Sequence, residues 1–404
     1  MADKQILKVT KDVKWIGVLD YNIVSFDVVM ETQHGTTYNS YFINAEKKAI
    51  IDTAKATFKN DYIEKVEAVL ESNDLSYIIL NHTEPDHSGC LKYVLEIYPE
   101  ATVVGSGNAI RYLEDMIEIP FKSLKVKDGD SLDLGNKTLK FISAPNLHWP
   151  DTIYTYLEED KLLFTCDSFG AHYCNERMFD DTVGLYSQSF KYYFDVILRP
   201  YSKFMLKAIE KIRPLDIVTV CPGHGPILRS TWKEKVNITE EYAKEYLNTI
   251  ESNDINVLIA YVSAYGYTRE MSEAIAEGLK SHVNINVDLV DIEHISIGGL
   301  ESKIVKSKGI LVGSPTINQN TLLPVYKLFA VINPVRDKGK IAVSFGSYGW
   351  SGEAVKIIDN QLKLLKLNVY RDGLAEKFYP FPDKEAKYVE LGKEVGLKLI
   401  EECK

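Results

Sequence analysis

Four side chains that can bind a metal ion fall within six consecutive residues of this chain. They are His82, Glu84, Asp86 and His87. They follow an apolar run, 77–80, which predicts a short buried strand. Pro85 cannot continue a strand and disfavours a helical conformation at Glu84, so we predict that the segment is a loop. Strand or helix packing does not require so many ligand types together, and we interpret the segment as part of a metal site.

Three more predicted strands end in loops that carry potential ligands. His148 lies between two prolines, Asp167 follows an apolar strand, and His224 lies in a loop of glycine and proline. Strand ends on one side of a sheet are where sites are assembled, so we expect these side chains to meet the first four. The resulting set of four imidazoles and three carboxylates suffices for two metal ions that share one carboxylate. Mixed imidazole and oxygen ligands suit iron or manganese better than zinc.

Length and composition predict two globular domains in a reducing compartment. The chain has 404 residues, of which 45% are hydrophobic and 26% charged. Its net charge of -10 argues against a nucleic-acid partner. The five cysteines include no CxxC pair, and residues 1–5 do not begin an apolar leader. No apolar run is long enough to span a membrane, so we expect a cytoplasmic protein.

The first predicted domain, residues 1–250, is rich in strands that alternate with helices. We expect two sheets enclosed by helices, an αββα sandwich in a chain of mixed α/β class. The first strands are predicted at 14–19, 23–30, 38–44 and 49–52. A helix at 233–249 closes this domain, and the polar residues 251–254 are the predicted linker.

The second predicted domain, residues 255–404, alternates strand and helix. Its predicted strands are 257–262, 287–290, 309–313, 340–345 and 367–370, with a last helix at 384–402. This pattern predicts a doubly wound, five-stranded parallel sheet. The first strand leads into hydroxyl-bearing residues and then a helix, an arrangement that predicts a phosphate site. No lysine follows at the position that a nucleoside triphosphate loop requires, so we do not predict such a loop. The residues of this loop are Ser263, Ala264, Tyr265, Gly266, Tyr267 and Thr268.

The metal motifs resemble those of the metallo-β-lactamase-like domain of flavodiiron proteins, also called A-type flavoproteins. The shared motifs are HxExDH at 82–87, His-Trp-Pro-Asp at 148–151, Asp-Ser-Phe-Gly-x-His at 167–172 and Pro-Gly-His-Gly-Pro at 222–226. Hydrolases of that superfamily have histidine where this chain has Glu84. The resemblance implies one iron on His82, Glu84 and His148, a second on Asp86, His87 and His224, and a bridge through Asp167.

Two further residues are candidates for a role beside this centre. The resemblance implies a tyrosine close to the iron pair, and we choose Tyr193 for this role. The alternative is that Tyr193 is an ordinary buried aromatic residue. His172, five residues after Asp167, is predicted to be a hydrogen-bonding neighbour of the ligands rather than a ligand.

The phosphate loop and two later loops resemble those of flavodoxin, which implies that the second domain binds FMN. In such domains the later loops hold the isoalloxazine ring, so Tyr348 and Trp350 are candidates to stack on it and Gly349 to approach its N5 atom. The other residues assigned to these loops are Ser314, Pro315, Thr316, Ile317, Asn318, Asn320, Gly346, Ser347 and Gly352.

Together the two resemblances imply an oxidoreductase that carries electrons through FMN to a diiron site. The expected reaction is reduction of O2 to water, and reduction of NO to nitrous oxide is also open. The electron donor is a separate rubredoxin or a reduced deazaflavin coenzyme, and the family implies a head-to-tail homodimer or a dimer of such dimers. Two alternatives remain at this point: a binuclear zinc hydrolase, and a flavodoxin-like electron carrier with a vestigial metal site.

Overall fold

A computed structural model describes residues 4–26, 30–70, 74–251, 254–378 and 382–403. The chain forms two compact units, Met1–Leu247 and Asn248–Lys404. The polar start, 1–5, and the predicted linker, 251–254, fall partly outside the described residues. All five cysteines are free thiols. Within the described ranges, no helix has the length and apolar character needed to cross a bilayer.

The first unit contains the following described strands: β1 (Leu7–Lys8), β2 (Val13–Trp15), β3 (Val18–Asp20), β4 (Ser25–Phe26), β5 (Met30–Glu31), β6 (Thr36–Tyr38), β7 (Tyr41–Ile43), β8 (Lys48–Ile51), β9 (Leu75–Ile79), β10 (Thr102–Ser106), β11 (Lys122–Val126), β12 (Ser131–Asp133), β13 (Thr138–Ser143), β14 (Ile153–Leu157), β15 (Leu162–Cys166) and β16 (Thr219–Pro222). Its α-helices are α1 (Lys59–Val69), α2 (Pro85–Ser88), α3 (Leu91–Ile97), α4 (Gly107–Met116), α5 (Ser187–Tyr193), α6 (Ser202–Ile212) and α7 (Trp232–Glu251).

Two sheets face each other in this unit, and helices cover their outer faces. One sheet has the order β1-β2-β7-β8-β9-β10-β11 and the other β12-β13-β14-β15-β16. Side chains from both sheets, including Ile79 and Phe164, form one apolar core between them. Two further cores lie beneath α1, α3 and α4 on one side and beneath α5, α6 and α7 on the other. The predicted αββα sandwich is therefore confirmed.

Some strand predictions in this unit were wrong in detail. The strand predicted at 14–19 is broken into β2 and β3. Gly17 lies at the break and packs closely, since a Cβ there would lie 2.3 Å from the carbonyl oxygen of Tyr38. The strand predicted at 38–44 is likewise two strands, β6 and β7. The single strand predicted at 23–30 was wrong, because β4 and β5 pair antiparallel with each other; residues 27–29 lie outside the described residues. The metal loop also contains a short helix, α2, because proline is favoured at the first helical position.

The second unit is a parallel sheet with helices on both faces. Its strands are β17 (Ile255–Tyr261), β18 (Ile285–Asp291), β19 (Gly309–Gly313), β20 (Ile341–Tyr348), β21 (Asn368–Val369) and β22 (Leu374–Lys377). Its helices are α8 (Tyr267–Lys280), α9 (Ile297–Lys306), α10 (Leu323–Val331), α11 (Glu353–Leu364) and α12 (Pro382–Glu402). The order β18-β17-β19-β20-β21 and the two apolar cores confirm the doubly wound sheet.

Two of the strand predictions in this unit need correction. The fifth strand, predicted at 367–370, is reduced to β21, and β22, which was not predicted, also pairs with β20, so the described sheet has six strands. Gly373 lies between these two strands, where a Cβ would come within 1.9 Å of the Ser344 hydroxyl oxygen. The fourth strand, predicted to end at Phe345, continues to Tyr348, so that Gly346 is a strand residue.

Helices α8 and α12 pack through two glycines that bring their backbones together. A Cβ on Gly278 would lie 2.0 Å from the carbonyl oxygen of Val389, and one on Gly392 would lie 2.2 Å from that of Ile275. Backbone atoms cannot rotate away as a side chain can, so either added methyl group must push the helices apart.

We predict that Gly278→Ala lowers the free energy of unfolding by about 1–3 kcal/mol through overpacking. Gly298→Ala in α9 is the matched control, because nothing lies within 4 Å of a Cβ there. That control should change stability by at most about 1 kcal/mol, in the stabilising direction. Calorimetric melting of the full chain measures both variants, and equal melting temperatures for the two would contradict the close helix contact.

Candidate metal centre and cofactor pocket

The seven predicted metal ligands of the first unit converge in one buried cluster. One group, in which each residue offers a ligand atom within 4.8 Å of the others, contains His82, Glu84, His148 and Asp167. A second group, by the same criterion, contains Asp86, His87 and His224. These are the two sets implied by the resemblance, brought together from four separate strand ends.

Asp167 lies between the two groups with one carboxylate oxygen facing each. Its Oδ2 is 3.6 Å from Nε2 of both His82 and His148. Its Oδ1 is 3.0 Å from Nε2 of His87 and 3.5 Å from Nε2 of His224. A carboxylate in this position can bind two cations at once.

The buried oxygen atoms of the cluster indicate that it fits metal ions. Oδ1 of Asp86 and Oδ2 of Asp167 are buried and accept no hydrogen bond from the described residues, whereas Oδ2 of Asp86 lies 3.1 Å from Nε2 of His224. Uncompensated buried carboxylate oxygens are costly, and coordination to a cation removes that cost. The third carboxylate belongs to Glu84, whose Oε2 lies 2.8 Å from Nε2 of His148 and 3.2 Å from Nε2 of His82. Histidine and carboxylate donors without thiolate fit iron, so the residues present fit the implied pair.

Neighbouring groups fix the orientation of two of the histidines. Nδ1 of His82 lies 3.1 Å from Oδ1 of Asp151, which is fully buried. Asp151 also accepts hydrogen bonds from the backbone N–H and the hydroxyl of Thr83, each at 2.8 Å. Nδ1 of His224 donates to the carbonyl oxygen of Thr37 at 2.6 Å. Both contacts leave Nε2 free to face the centre of the cluster.

The electrostatic field of the cluster favours positive charge. Burial opposes the charged form of His82, but hydrogen bonds to Asp151 and Glu84 outweigh it and raise the pKa of His82 well above its usual value. Burial disfavours ionised Asp167 too, yet the nearby His87 and His224 hold its pKa well below the usual range. The carboxylates that stabilise charged imidazoles would stabilise bound cations in the same way.

Two glycines let the backbone approach the cluster. A Cβ on Gly223 would lie 2.7 Å from Cε1 of His87. Gly225 has a positive φ of 74°, and a Cβ there would lie 2.5 Å from the carbonyl oxygen of Ala171. The glycines on both sides of His224 are therefore required by close packing around the ligands.

Tyr193 and His172, the two other candidates, both lie beside the ligands. Tyr193 is fully buried and its hydroxyl donates to Oδ1 of Asp167 at 3.1 Å. Burial raises the pKa of Tyr193 well above its usual value, so the phenol stays protonated. Nδ1 of His172 is 2.9 Å from the hydroxyl of Thr36, while its buried Nε2 has no hydrogen-bond partner in the described part of the chain. Burial, with a further contribution from His224, lowers the pKa of His172 and keeps the ring neutral.

The sequence reasoning did not assign roles to several residues that touch the ligands. Asp151 was predicted only as the last residue of the His-Trp-Pro-Asp motif, and Thr37 was not assigned. Phe26, whose ring centroid lies 4.4 Å from that of His172 and 5.3 Å from that of His224, was not considered. Asp151 could have been identified from the sequence, because it is an ionisable residue in an apolar stretch. No local pattern marks Phe26.

The second unit contains a cavity of about 270 Å³ at the carboxyl end of its parallel strands. Its walls come from all three predicted flavin loops, at the place where doubly wound sheets bind ligands. The lining residues assigned from the sequence are Tyr265, Tyr267, Pro315, Thr316, Ile317, Asn318, Ser347, Tyr348, Gly349 and Trp350. Ser351 and Phe378 also line it and were not assigned.

The cavity has the features that an FMN site requires. Gly266 caps α8 with a φ of 90°, and the N–H groups of Tyr267 and Thr268, which open the helix, have no acceptor within the helix and are available to a phosphate. Tyr265 and Trp350 are 81% and 75% exposed, which leaves both rings free to contact a planar ligand. The residues present therefore fit the implied flavin.

The remaining assigned residues lie around the cavity rather than in its lining. Ser263 accepts hydrogen bonds from the N–H groups of Gly266 and Arg269, and the hydroxyl of Thr268 contacts that of Ser347 at 3.2 Å. The others are Ala264, Ser314, Asn320, Gly346 and Gly352. Gly346 has a close-packing role, since a Cβ there would lie 2.0 Å from the carbonyl oxygen of Ser314. Whether these residues contact FMN stays a prediction.

We predict that Asp151→Asn weakens metal binding about 10–100-fold, because an amide cannot orient and polarise His82 as a carboxylate does. The rate of metal loss to a chelator measures the effect. Asp216→Asn is the matched control, since the exposed carboxylate of Asp216 pairs with Lys161 on the surface. Equal metal retention in the two variants would contradict the role given to Asp151.

Comparisons with known proteins agree with both sites. A family model described as the ODP family β-lactamase matches residues 36–225, and a flavodoxin model matches residues 259–390. The chain is 38% identical over 397 residues to the type A flavoprotein of Rhodobacter capsulatus, covering 97% of this chain and 90% of the relative. It is also 38% identical to the flavo-diiron protein FprA2 of Clostridium acetobutylicum, covering 96% and 98%.

Solved structures give the same result. The flavodiiron protein of Giardia intestinalis superposes with a TM-score of 0.72 at 29% identity, covering 99% of this chain and 98% of that one. The rubredoxin oxygen:oxidoreductase of Desulfovibrio gigas gives a TM-score of 0.74 at 26% identity, covering 98% of each chain. With its two domains, its buried histidine–carboxylate cluster and these relatives along nearly its whole length, the chain belongs to the flavodiiron family, whose members are FMN-linked oxidoreductases with a diiron centre.

Proposed function

We propose that this protein reduces O2 to water with electrons from an external donor, and that it also accepts NO, which it reduces to nitrous oxide. The donor is a rubredoxin, a separate small protein, or a reduced deazaflavin coenzyme. One structure to which the chain is similar is named a rubredoxin oxygen:oxidoreductase, which supports the first donor and O2 as the gas. We place the reaction in the cytoplasm, in keeping with the five free cysteines.

The observation that carries this proposal is the oxygen-rich ligand set around Asp167. Glu84 stands where the related hydrolases have histidine, and it lies within 3.2 Å of both His82 and His148. Oxygen donors stabilise the higher oxidation state of iron better than imidazole does, and they suit iron better than zinc. The same chain also has a flavodoxin unit, which zinc hydrolysis does not need.

When bound, FMN supplies an acceptor of one or two electrons, and the two irons supply a site where a small gas binds and is reduced. The residues of the chain hold these groups and orient the ligands. The protonated phenol of Tyr193 donates a hydrogen bond to Oδ1 of Asp167, so a hydrogen-bond donor lies beside the shared carboxylate. His172 stays neutral, and its buried Nε2 has no hydrogen-bond partner among the described residues.

We also propose that the active form is a head-to-tail homodimer, or a dimer of such dimers, as the family implies. In that arrangement the FMN of one subunit lies beside the diiron centre of its partner. A monomeric variant should then keep both cofactors and lose turnover.

The test is metal and activity analysis of the anaerobically purified protein. We expect roughly two iron ions and one FMN per chain, with consumption of O2 and of NO after reduction of the flavin. His224→Ala should abolish gas consumption while FMN stays bound, because it removes a ligand from the second metal position. His294→Ala, at an exposed histidine of the second unit, should leave the rates unchanged.

Two results would contradict the proposal in different ways. Two zinc ions per chain together with esterase or lactamase activity would identify a hydrolase. Unchanged electron transfer in His224→Ala, with no gas consumption in the wild type, would identify an electron carrier with a vestigial metal site.

A further inference from the structure

We infer that Phe378 is a fourth wall of the flavin site and stacks against the bound isoalloxazine ring. This inference rests on the proposed function, because it assigns a residue to the pocket in which FMN is proposed to bind. Phe378 follows β22 and lies outside the three loops that carry the flavodoxin resemblance.

Its position in the cavity is the first observation. Phe378 lines the same cavity of about 270 Å³ as Tyr348, Gly349 and Trp350. A Cβ built on Gly349 would lie 3.5 and 3.6 Å from two ring atoms of Phe378, at ordinary contact distance. The ring therefore packs against Gly349, the glycine for which the resemblance to flavodoxin implies an approach to the N5 atom of the flavin.

The backbone of Phe378 is held in a conformation that phenylalanine rarely adopts. Its φ is +46°, in the left-handed region where a bulky side chain is strained. The N–H of Phe378 donates to the carbonyl oxygen of Tyr348 at 2.9 Å, and β22 pairs with the end of β20 up to that residue. The strand pairing thus fixes the strained residue at the edge of the cavity.

The exposure of the ring supports a ligand-binding role over a packing role. Phe378 is 53% exposed, so its ring is not needed to fill an apolar core. Together with Tyr265 and Trp350, it places three exposed aromatic rings around one cavity. A planar, aromatic ligand would cover such rings and gain stacking energy from them.

Titration of the flavin-free protein with FMN, followed by flavin fluorescence, tests this inference without measuring turnover. Phe378→Ala should weaken FMN binding by about tenfold, as expected for loss of one aromatic contact. Phe378→Trp should bind within about threefold of the wild type, since it restores an aromatic face. The half-exposed ring leaves no core cavity when removed, so these variants should fold.

Phe204→Ala is the matched control, because Phe204 is an exposed phenylalanine of the first unit. If Phe378→Ala and this control both bind FMN within about twofold of the wild type, the inference is wrong. Equal weakening by Phe378→Ala and Phe378→Trp would also overturn it, because the aromatic ring would then be irrelevant. Failure of the wild type to bind FMN at all would instead overturn the proposed function.

Discussion

The position of Asp167 between two groups of buried histidines is the constraint on which the first unit depends. Each of its oxygens faces one group, at distances of 3.0 to 3.6 Å from the nearest imidazole nitrogens. The imidazoles on each side offset the burial of this carboxylate, and a bound cation on each side would offset it in the same way. The close-packed glycines around His224 and the hydrogen bonds of Asp151 follow from the need to hold these atoms in place.

Much of this centre could be predicted from the sequence, because each ligand lies in a segment that follows an apolar strand. The strand pattern placed His82, His148 and His224 at strand ends, and strand ends on one side of a sheet meet in space. The pairing of ligands into two groups could not be read from spacing and came from the family resemblance. The short helix α2 was missed, because proline excludes a strand but is well suited to a helix start.

Contacts between segments distant in sequence were the least predictable. Phe26 touches His172 and His224 across long stretches of chain, and no local pattern marks it. Phe378 was not assigned because the fifth strand was predicted at 367–370 only, so residues 374–378 lay outside every predicted element. Strand β22 pairs with the end of β20, and Gly373, just before β22, packs closely against Ser344.

The second unit follows the same principle as the first, in that strand ends at one edge of a sheet build the site. Its lining is aromatic and neutral, whereas the first unit gathers charge at the corresponding place. This difference matches the proposed division of roles, in which a planar cofactor is held by stacking and cations are held by carboxylates and imidazoles.

Anomalous diffraction at the iron edge from crystals of the anaerobically purified protein tests the central claim most directly. The account predicts two iron peaks about 3.5–4 Å apart, one among His82, Glu84 and His148, the other among Asp86, His87 and His224, with Asp167 between them. A single peak, or peaks that appear at the zinc edge only, would contradict it.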